Sequence, residues 1–311
     1  MTIIGPLASP PPPAGGVDLD LPGDGVRLRA TRWPGNGSAV LLLHGLASTR
    51  HIWRRVVPEL LAAPMPPAVV AVDQRGHGDS GRPDGPYDGQ AVVADLLTAL
   101  DALALSRVVV VGHSWGATTA VRLAASAPGR VLACVALDGG TGAFAGTGED
   151  RARLRERLTP PRLAESPEAL RRLLADGPLA PWWSPEIALV KETLFEVAAD
   201  GRARARLPFD AHMAVLDDLL DTDHDALWAQ VSCPAWVVAC QPVGEVADPW
   251  TGAKDAALAR LHSLPHPPRV LRWAGAVHDV PLQWPALVAG LVRTACDDTV
   301  RLVPGGEGRS A

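Results

Sequence analysis

Short apolar runs rich in valine and leucine recur along the chain and alternate with longer stretches of helical periodicity. The pattern predicts strands over residues 26–32 and 39–43, a helix over 53–62, a strand over 69–72 and a helix over 90–103. Residues 108–111 predict a strand that leads into a small-residue helix after Ser114, and 131–137 predict another strand. After an interruption the pattern resumes with a strand at 235–239, a helix at 254–261, a strand at 270–273 and a helix at 281–294. Continuous apolar strands separated by helices belong to a parallel sheet covered on both faces, because neither side of such a strand meets water. The expected class is α/β, a mostly parallel sheet with helices on both faces.

The interruption, residues 141–230, has a different texture. Leu154, Leu158, Leu170, Leu173, Leu174, Val190, Leu194 and Val197 recur at helical spacings among arginines and glutamates, with little strand signal. A helical insert between two halves of a parallel sheet is expected to form a lid over the carboxyl edge, where ligands bind. The predicted organisation is a core of residues 17–140 and 231–296 with a helical lid at 141–230. A flexible tail at 1–16 contains Pro10-Pro11-Pro12-Pro13, and a second tail covers 297–311.

Charge and cysteines narrow the function classes. The 311 residues are 47% hydrophobic and 20% charged, and the net charge of −5 is spread along the chain, which argues against nucleic-acid or membrane-surface partners. There is no secretory leader pattern and no uninterrupted apolar run of membrane-spanning length. Cys134, Cys233, Cys240 and Cys296 form no C-x-x-C and predict free thiols in a cytoplasmic setting. Arginine almost replaces lysine, which occurs only at Lys191 and Lys254.

Three segments carry chemistry. Gly112-His113-Ser114-Trp115-Gly116 lies between a strand and a helix, the context that makes G-x-S-x-G a nucleophile elbow. Leu43-His44-Gly45-Leu46 ends an earlier strand in a tight turn. The amides of Leu46 and Trp115 are therefore candidates for the two donors that a developing oxyanion needs. His278 in Ala276-Val277-His278-Asp279 falls just beyond a late strand, where a general base is expected in the order serine, acid, histidine. Of the other histidines, His44 is expected to orient its loop, His77 to brace its turn, and His113 to point away from the reacting face. His212, His224, His262 and His266 lack H-x-x-x-H spacing, so no metal site is predicted.

Together with Asp73-Gln74-Arg75-Gly76-His77-Gly78-Asp79-Ser80 and His278-Asp279-Val280-Pro281, these motifs resemble the α/β-hydrolase fold family, in its capped esterase-like and epoxide-hydrolase-like branch. The resemblance covers roughly residues 20–140 and 230–295 and implies Ser114 as nucleophile, His278 as base, and the Leu46 and Trp115 amides as oxyanion hole. The family's usual acid position, after the strand that follows the lid, is here Val243, with Glu245 and Asp248 nearby. Dehalogenase-like relatives carry the acid after the strand that follows the nucleophile helix, and Asp138 occupies that place. Asp138 is favoured over Glu245 and Asp248.

The reaction expected from these residues is hydrolysis of a carboxylic ester, thioester or lactone through an acyl-enzyme, with no cofactor and no metal. Epoxide and haloalkane hydrolysis in this family use an aspartate nucleophile, which the serine replaces. Alternatives are C–C bond hydrolysis, perhydrolysis or acyl transfer on the same triad, or a non-catalytic receptor. Trp182-Trp183, between two prolines in the lid, are candidate walls of an apolar acyl pocket; packing of the lid is the other role open to them.

Overall fold

The computed structural model describes residues 3–8, 10–161, 165–243 and 251–302. Among them eleven strands form: β1 (Ile3–Pro6), β2 (Val17–Pro22), β3 (Arg27–Trp33), β4 (Gly37–Leu43), β5 (Pro67–Asp73), β6 (Val108–His113), β7 (Val131–Leu137), β8 (Phe195–Ala198), β9 (Ala203–Ala205), β10 (Ala235–Gln241) and β11 (Arg269–Ala274). The α-helices are α1 (Val56–Leu61), α2 (Gly89–Ala102), α3 (Trp115–Ser126), α4 (Arg151–Arg157), α5 (Pro167–Ala175), α6 (Pro185–Glu192), α7 (Phe209–Asp221), α8 (His224–Ala229), α9 (Thr251–Leu261), α10 (Val280–Gln283) and α11 (Pro285–Leu302).

Eight strands share one sheet, in the order β11-β10-β7-β6-β4-β5-β3-β2. Neighbours from β11 to β5 are parallel, and β3 runs antiparallel to both β5 and β2. The strands read as unbroken apolar runs because alternate residues feed two cores. Leu41, Leu43, Val108, Val110 and Ala136 pack on one face with α2 and α3. Val40, Leu42, Val109, Val111 and Leu137 pack on the other with Trp53, α1 and α11. Ala117, Ala120 and Ala124 are almost fully buried, and their small side chains let α3 lie close against β6 and β7. That proximity fixes where the strand-to-helix turn at Ser114 stands.

Several boundaries differ from expectation, each for a local reason. The described residues of the segment expected to be a flexible tail at 1–16 are docked. Strand β1 pairs antiparallel with β8, and the Pro13 carbonyl accepts from Trp33 Nε1 at 3.3 Å. The Pro11 carbonyl accepts from Arg54. Prolines lack a donor but keep an acceptor, so the run can be held by side chains that reach it. At the other end α11 continues to Leu302, past the expected boundary at 296, while residues 303–311 lie outside the described residues. The expected helix at 53–62 is a 3₁₀ turn, Arg50–Trp53, followed by α1.

The segment between β7 and β10 holds α4 to α8, but also β8 and β9, which join β1 in a separate antiparallel sheet. These strands have four and three residues. They are too short to develop a readable alternation. Among the described residues no helix is long and apolar enough to cross a membrane.

Candidate active site

Ser114 stands between β6 and α3 with φ 56° and ψ −122°, a conformation that costs on the order of 1–3 kcal/mol and persists only where its surroundings enforce it. Its amide donates to the Leu137 carbonyl at 2.9 Å, which ties the turn to the end of β7. The flanking glycines are required by close passage of backbone. A Cβ on Gly112 would lie 2.0 Å from the Gly116 carbonyl oxygen, and one on Gly116 would lie 2.4 Å from the carbonyl oxygens of Leu43 and His44. The sequence G-x-S-x-G is thus the steric condition for this turn.

His278, between β11 and α10, brings Nε2 to 3.0 Å from Ser114 Oγ. Its Nδ1 lies 2.6 Å from Asp138 Oδ2. Asp138 follows β7 directly and is anchored by its own amide, which donates to the Val238 carbonyl at 2.8 Å. Its Oδ1 accepts from the Cys240 amide at 3.0 Å and pairs with Lys254 Nζ at 3.1 Å. Lys254 Nζ also reaches Oδ2 at 3.5 Å, so both carboxylate oxygens are partnered. Burial opposes the charge on Asp138, but the hydrogen bond and charge of His278, then Lys254 and the Cys240 amide, hold it down at about 2. Burial also opposes a charged His278, yet the Asp138 carboxylate outweighs it and raises the imidazole above its ordinary value.

The structure thus brings Ser114, His278 and Asp138 into one hydrogen-bonded line. Val243 is 78% exposed, while Glu245 and Asp248 lie outside the described residues.

Several supports were not legible beforehand. His113, expected to point away from the reacting face, donates from Nε2 to the His278 carbonyl at 2.7 Å. Burial, with His278 beside it, pushes its imidazole down to about 4, so it stays neutral. Gln283 holds the same loop, accepting from the Val277 amide at 2.7 Å and donating to the Gly275 carbonyl at 2.8 Å. Lys191 of α6 pairs with Asp279 at 2.7 Å. The chain's two lysines thus flank the line, one beside its carboxylate and one beside its histidine. Their rarity was visible in the sequence and was the one signal that could have marked them.

Leu46 and Trp115 line the same cavity as Ser114. A Cβ on Gly45 would stand 2.9 Å from Ser114 Cβ, so the turn carrying Leu46 passes directly beside the serine. That turn is braced by His77, whose Nε2 accepts from the Ala47 amide at 3.1 Å and whose ring stacks on Trp115 at 5.2 Å. His44 orients the loop from the other side, accepting from the Gln74 amide at 3.0 Å and donating from Nδ1 to the Gly45 carbonyl at 2.8 Å. The Trp115 indole is buried and serves packing, so whatever this residue gives a ligand comes from its amide.

The cavity in front of Ser114 has a volume of about 720 Å³ and mainly apolar walls. The insert supplies Phe144, Leu158, Leu216 and Leu219, and the core supplies Val238 and Leu258. Trp182 and Trp183 are not among its lining residues, contrary to expectation. The 3₁₀ turn at Ala180–Trp182 directs both indoles to the core with Leu179, Ile187 and Val190. They pack the insert against the fold.

A family model described as the alpha/beta hydrolase fold matches residues 38–181. An epoxide hydrolase of Caballeronia sordidicola is 38% identical over 126 residues, which is 40% of this chain and 37% of that protein. The chain thus spans little more than a third of the length of this relative. Among solved structures, E-2-(acetamidomethylene)succinate hydrolase superposes with a TM-score of 0.70 at 23% identity, covering 91% of this chain and 99% of its own. The thioesterase domain from the curacin biosynthetic pathway gives a TM-score of 0.68 at 17% identity, covering 89% and 99%. With the sheet order, the serine turn between β6 and α3, and the match over residues 38–181 in agreement, the chain has the α/β-hydrolase fold.

Proposed function

We propose that the protein is a serine hydrolase that cleaves a carboxylic ester, thioester or lactone through an acyl-enzyme on Ser114. The observation that carries this reading is the hydrogen-bonded line from Ser114 Oγ to His278 Nε2 at 3.0 Å and from His278 Nδ1 to Asp138 at 2.6 Å. In the first step Ser114 Oγ adds to the substrate carbonyl while its proton passes to His278 Nε2. The Asp138 carboxylate stabilises the imidazolium and keeps the ring in the tautomer that presents a bare Nε2. The oxyanion is received by the Leu46 and Trp115 amides. Collapse of the intermediate expels the alcohol or thiol, which takes the proton back from His278. Water, deprotonated by the same nitrogen, then releases the acid and restores the serine.

Serine also separates this reading from the activity named for the epoxide-hydrolase relative. Opening an epoxide with a serine oxygen would leave an alkyl ether, which has no carbonyl for water to attack, and the enzyme would stay blocked. An acyl-serine ester can be hydrolysed by the same histidine. In this reading the insert is a lid whose apolar wall selects the acyl group, and the partner is a small, mainly apolar acyl compound.

A fluorophosphonate probe tests the proposal together with an ester panel. Labelling of Ser114 and turnover of esters are expected, and both are lost in Ser114→Ala. Folded protein that neither labels nor turns over esters is a receptor, and the proposal is then wrong.

A further inference from the structure

The apolar cavity holds one polar pair that the reaction does not use. Thr118 Oγ1 and His224 Nε2 stand 3.2 Å apart, and both residues are buried and line the cavity. Their roles follow by elimination. His224 Nδ1 lies 3.0 Å from the Thr222 carbonyl, which can only accept, so Nδ1 carries the ring proton. Burial holds this imidazole down at about 4, so near neutral pH its Nε2 is a bare acceptor. Thr118 therefore donates its only proton to Nε2 and keeps lone pairs alone for anything else. The pair offers the cavity acceptors and no donor.

Thr118 is also close to the chemistry. It stands in the first turn of α3, the helix that Ser114 precedes, and shares the cavity lining with Ser114 and His278. A hydroxyl or N–H carried near the reacting carbonyl of a bound substrate is the kind of donor this shared wall can meet.

The geometry points to a specificity site in which Thr118, fixed by His224, accepts a hydrogen bond from a hydroxyl or N–H that the substrate carries near its reacting carbonyl. This rests on the acyl-transfer reading and adds which acyl compounds are preferred. A substrate without such a donor leaves the Thr118 oxygen desolvated and unpaired against apolar walls, which disfavours it about tenfold to hundredfold.

Two matched pairs of esters test this. Ethyl 3-hydroxyoctanoate, each enantiomer separately, is compared with ethyl octanoate, and 2-hydroxyethyl octanoate with propyl octanoate. The native enzyme is expected to prefer the hydroxylated member of at least one pair by about tenfold or more in kcat/KM. Thr118→Val brings that ratio close to one. Thr118→Ser, which restores the hydroxyl, restores the preference. Thr119→Val makes the same chemical change at a buried hydroxyl bonded to the Trp115 carbonyl, outside the cavity lining, and keeps the native ratio. Equal turnover within both pairs, or a preference that survives Thr118→Val, overturns the inference. If no ester is turned over, the acyl-transfer reading is what fails. The site is then read by calorimetric binding of 3-hydroxyoctanoate against octanoate, with the same ratio and the same loss in Thr118→Val expected, and equal affinities overturning it.

Discussion

The carboxyl edge of the sheet and the segment inserted after β7 face each other across one cavity, yet different forces hold them. At the edge the reacting groups are placed through hydrogen bonds onto main-chain carbonyls: the Ser114 amide to Leu137 at 2.9 Å, the Asp138 amide to Val238 at 2.8 Å, and the His113 ring to His278 at 2.7 Å. In the insert many ties are between side chains, such as Arg151 with Asp221, Arg155 with Asp217 and Arg171 with Glu192. Such solvated pairs contribute about 0–1 kcal/mol each. The edge cannot move without displacing reacting atoms, whereas the insert can change its surface and keep the chemistry. On the proposed reading bond breaking belongs to the edge, and choice of substrate to the insert together with Thr118 of α3.

The largest expected effects lie at the edge. Ser114→Ala should lower ester turnover on the order of 10⁴- to 10⁶-fold, measured as kcat with one good ester. Asp138→Asn should cost about 10⁴-fold, because an amide can hold the wrong tautomer of His278. A variant retaining more than a tenth of native kcat would place the acid outside the described residues, at Glu245 or Asp248. The pH profile sharpens the point. His278 must be neutral to accept the serine proton, and Asp138 raises its value, so native kcat/KM should rise with pH through a midpoint above 6.5. In Asp138→Asn the midpoint moves down. Asp138 itself is depressed to about 2, so its contribution to stability is fully present above its ordinary value of 3.8 and is lost as the pH falls through about 2.

Several ion pairs cross between the core and the insert, such as Arg122 with Asp218 and Arg206 with Asp79, and one of them reaches the loop of the histidine. Lys191 in α6 reaches Asp279, the neighbour of His278, with both side chains largely shielded from water. Lys191→Met should lower kcat about fivefold and leave KM nearly unchanged, as expected when about 1 kcal/mol of support for the base is lost. An unchanged kcat would show that this pair takes no part in placing the histidine.

The two regions were also unequally legible in the sequence. The core strands and the elbow could be read because periodicity and steric necessity act locally: the Val108–Val111 run, Gly112 and Gly116 each constrain their immediate surroundings. Asp138 could be placed only by analogy, since its role depends on β10, a hundred residues later, delivering the Cys240 amide at 3.0 Å. Lys191 and His113 act through contacts between distant segments, which no local pattern encodes. Trp182 and Trp183 misled for the same reason. Their size and apolarity promise a pocket wall, but the face they occupy is decided by the turn that carries them.

Those tryptophans supply the smallest expected effect on catalysis and the cleanest separation of packing from selection. Both indoles pack against the core with Leu179, Ile187 and Val190, and neither is among the residues that line the cavity with Leu216 and Leu219. Trp182→Ala and Trp183→Ala should therefore lower stability in denaturant melts by about 1–3 kcal/mol each, less than for fully buried indoles because both are partly exposed. Their ranking of ester chain lengths should match that of the native enzyme. Leu216→Ala and Leu219→Ala, which enlarge the cavity itself, should shift that ranking toward bulkier acyl groups. A reversed outcome, with selectivity following the tryptophans and not the leucines, would mean that the insert reaches the substrate by another face than the one lining this cavity.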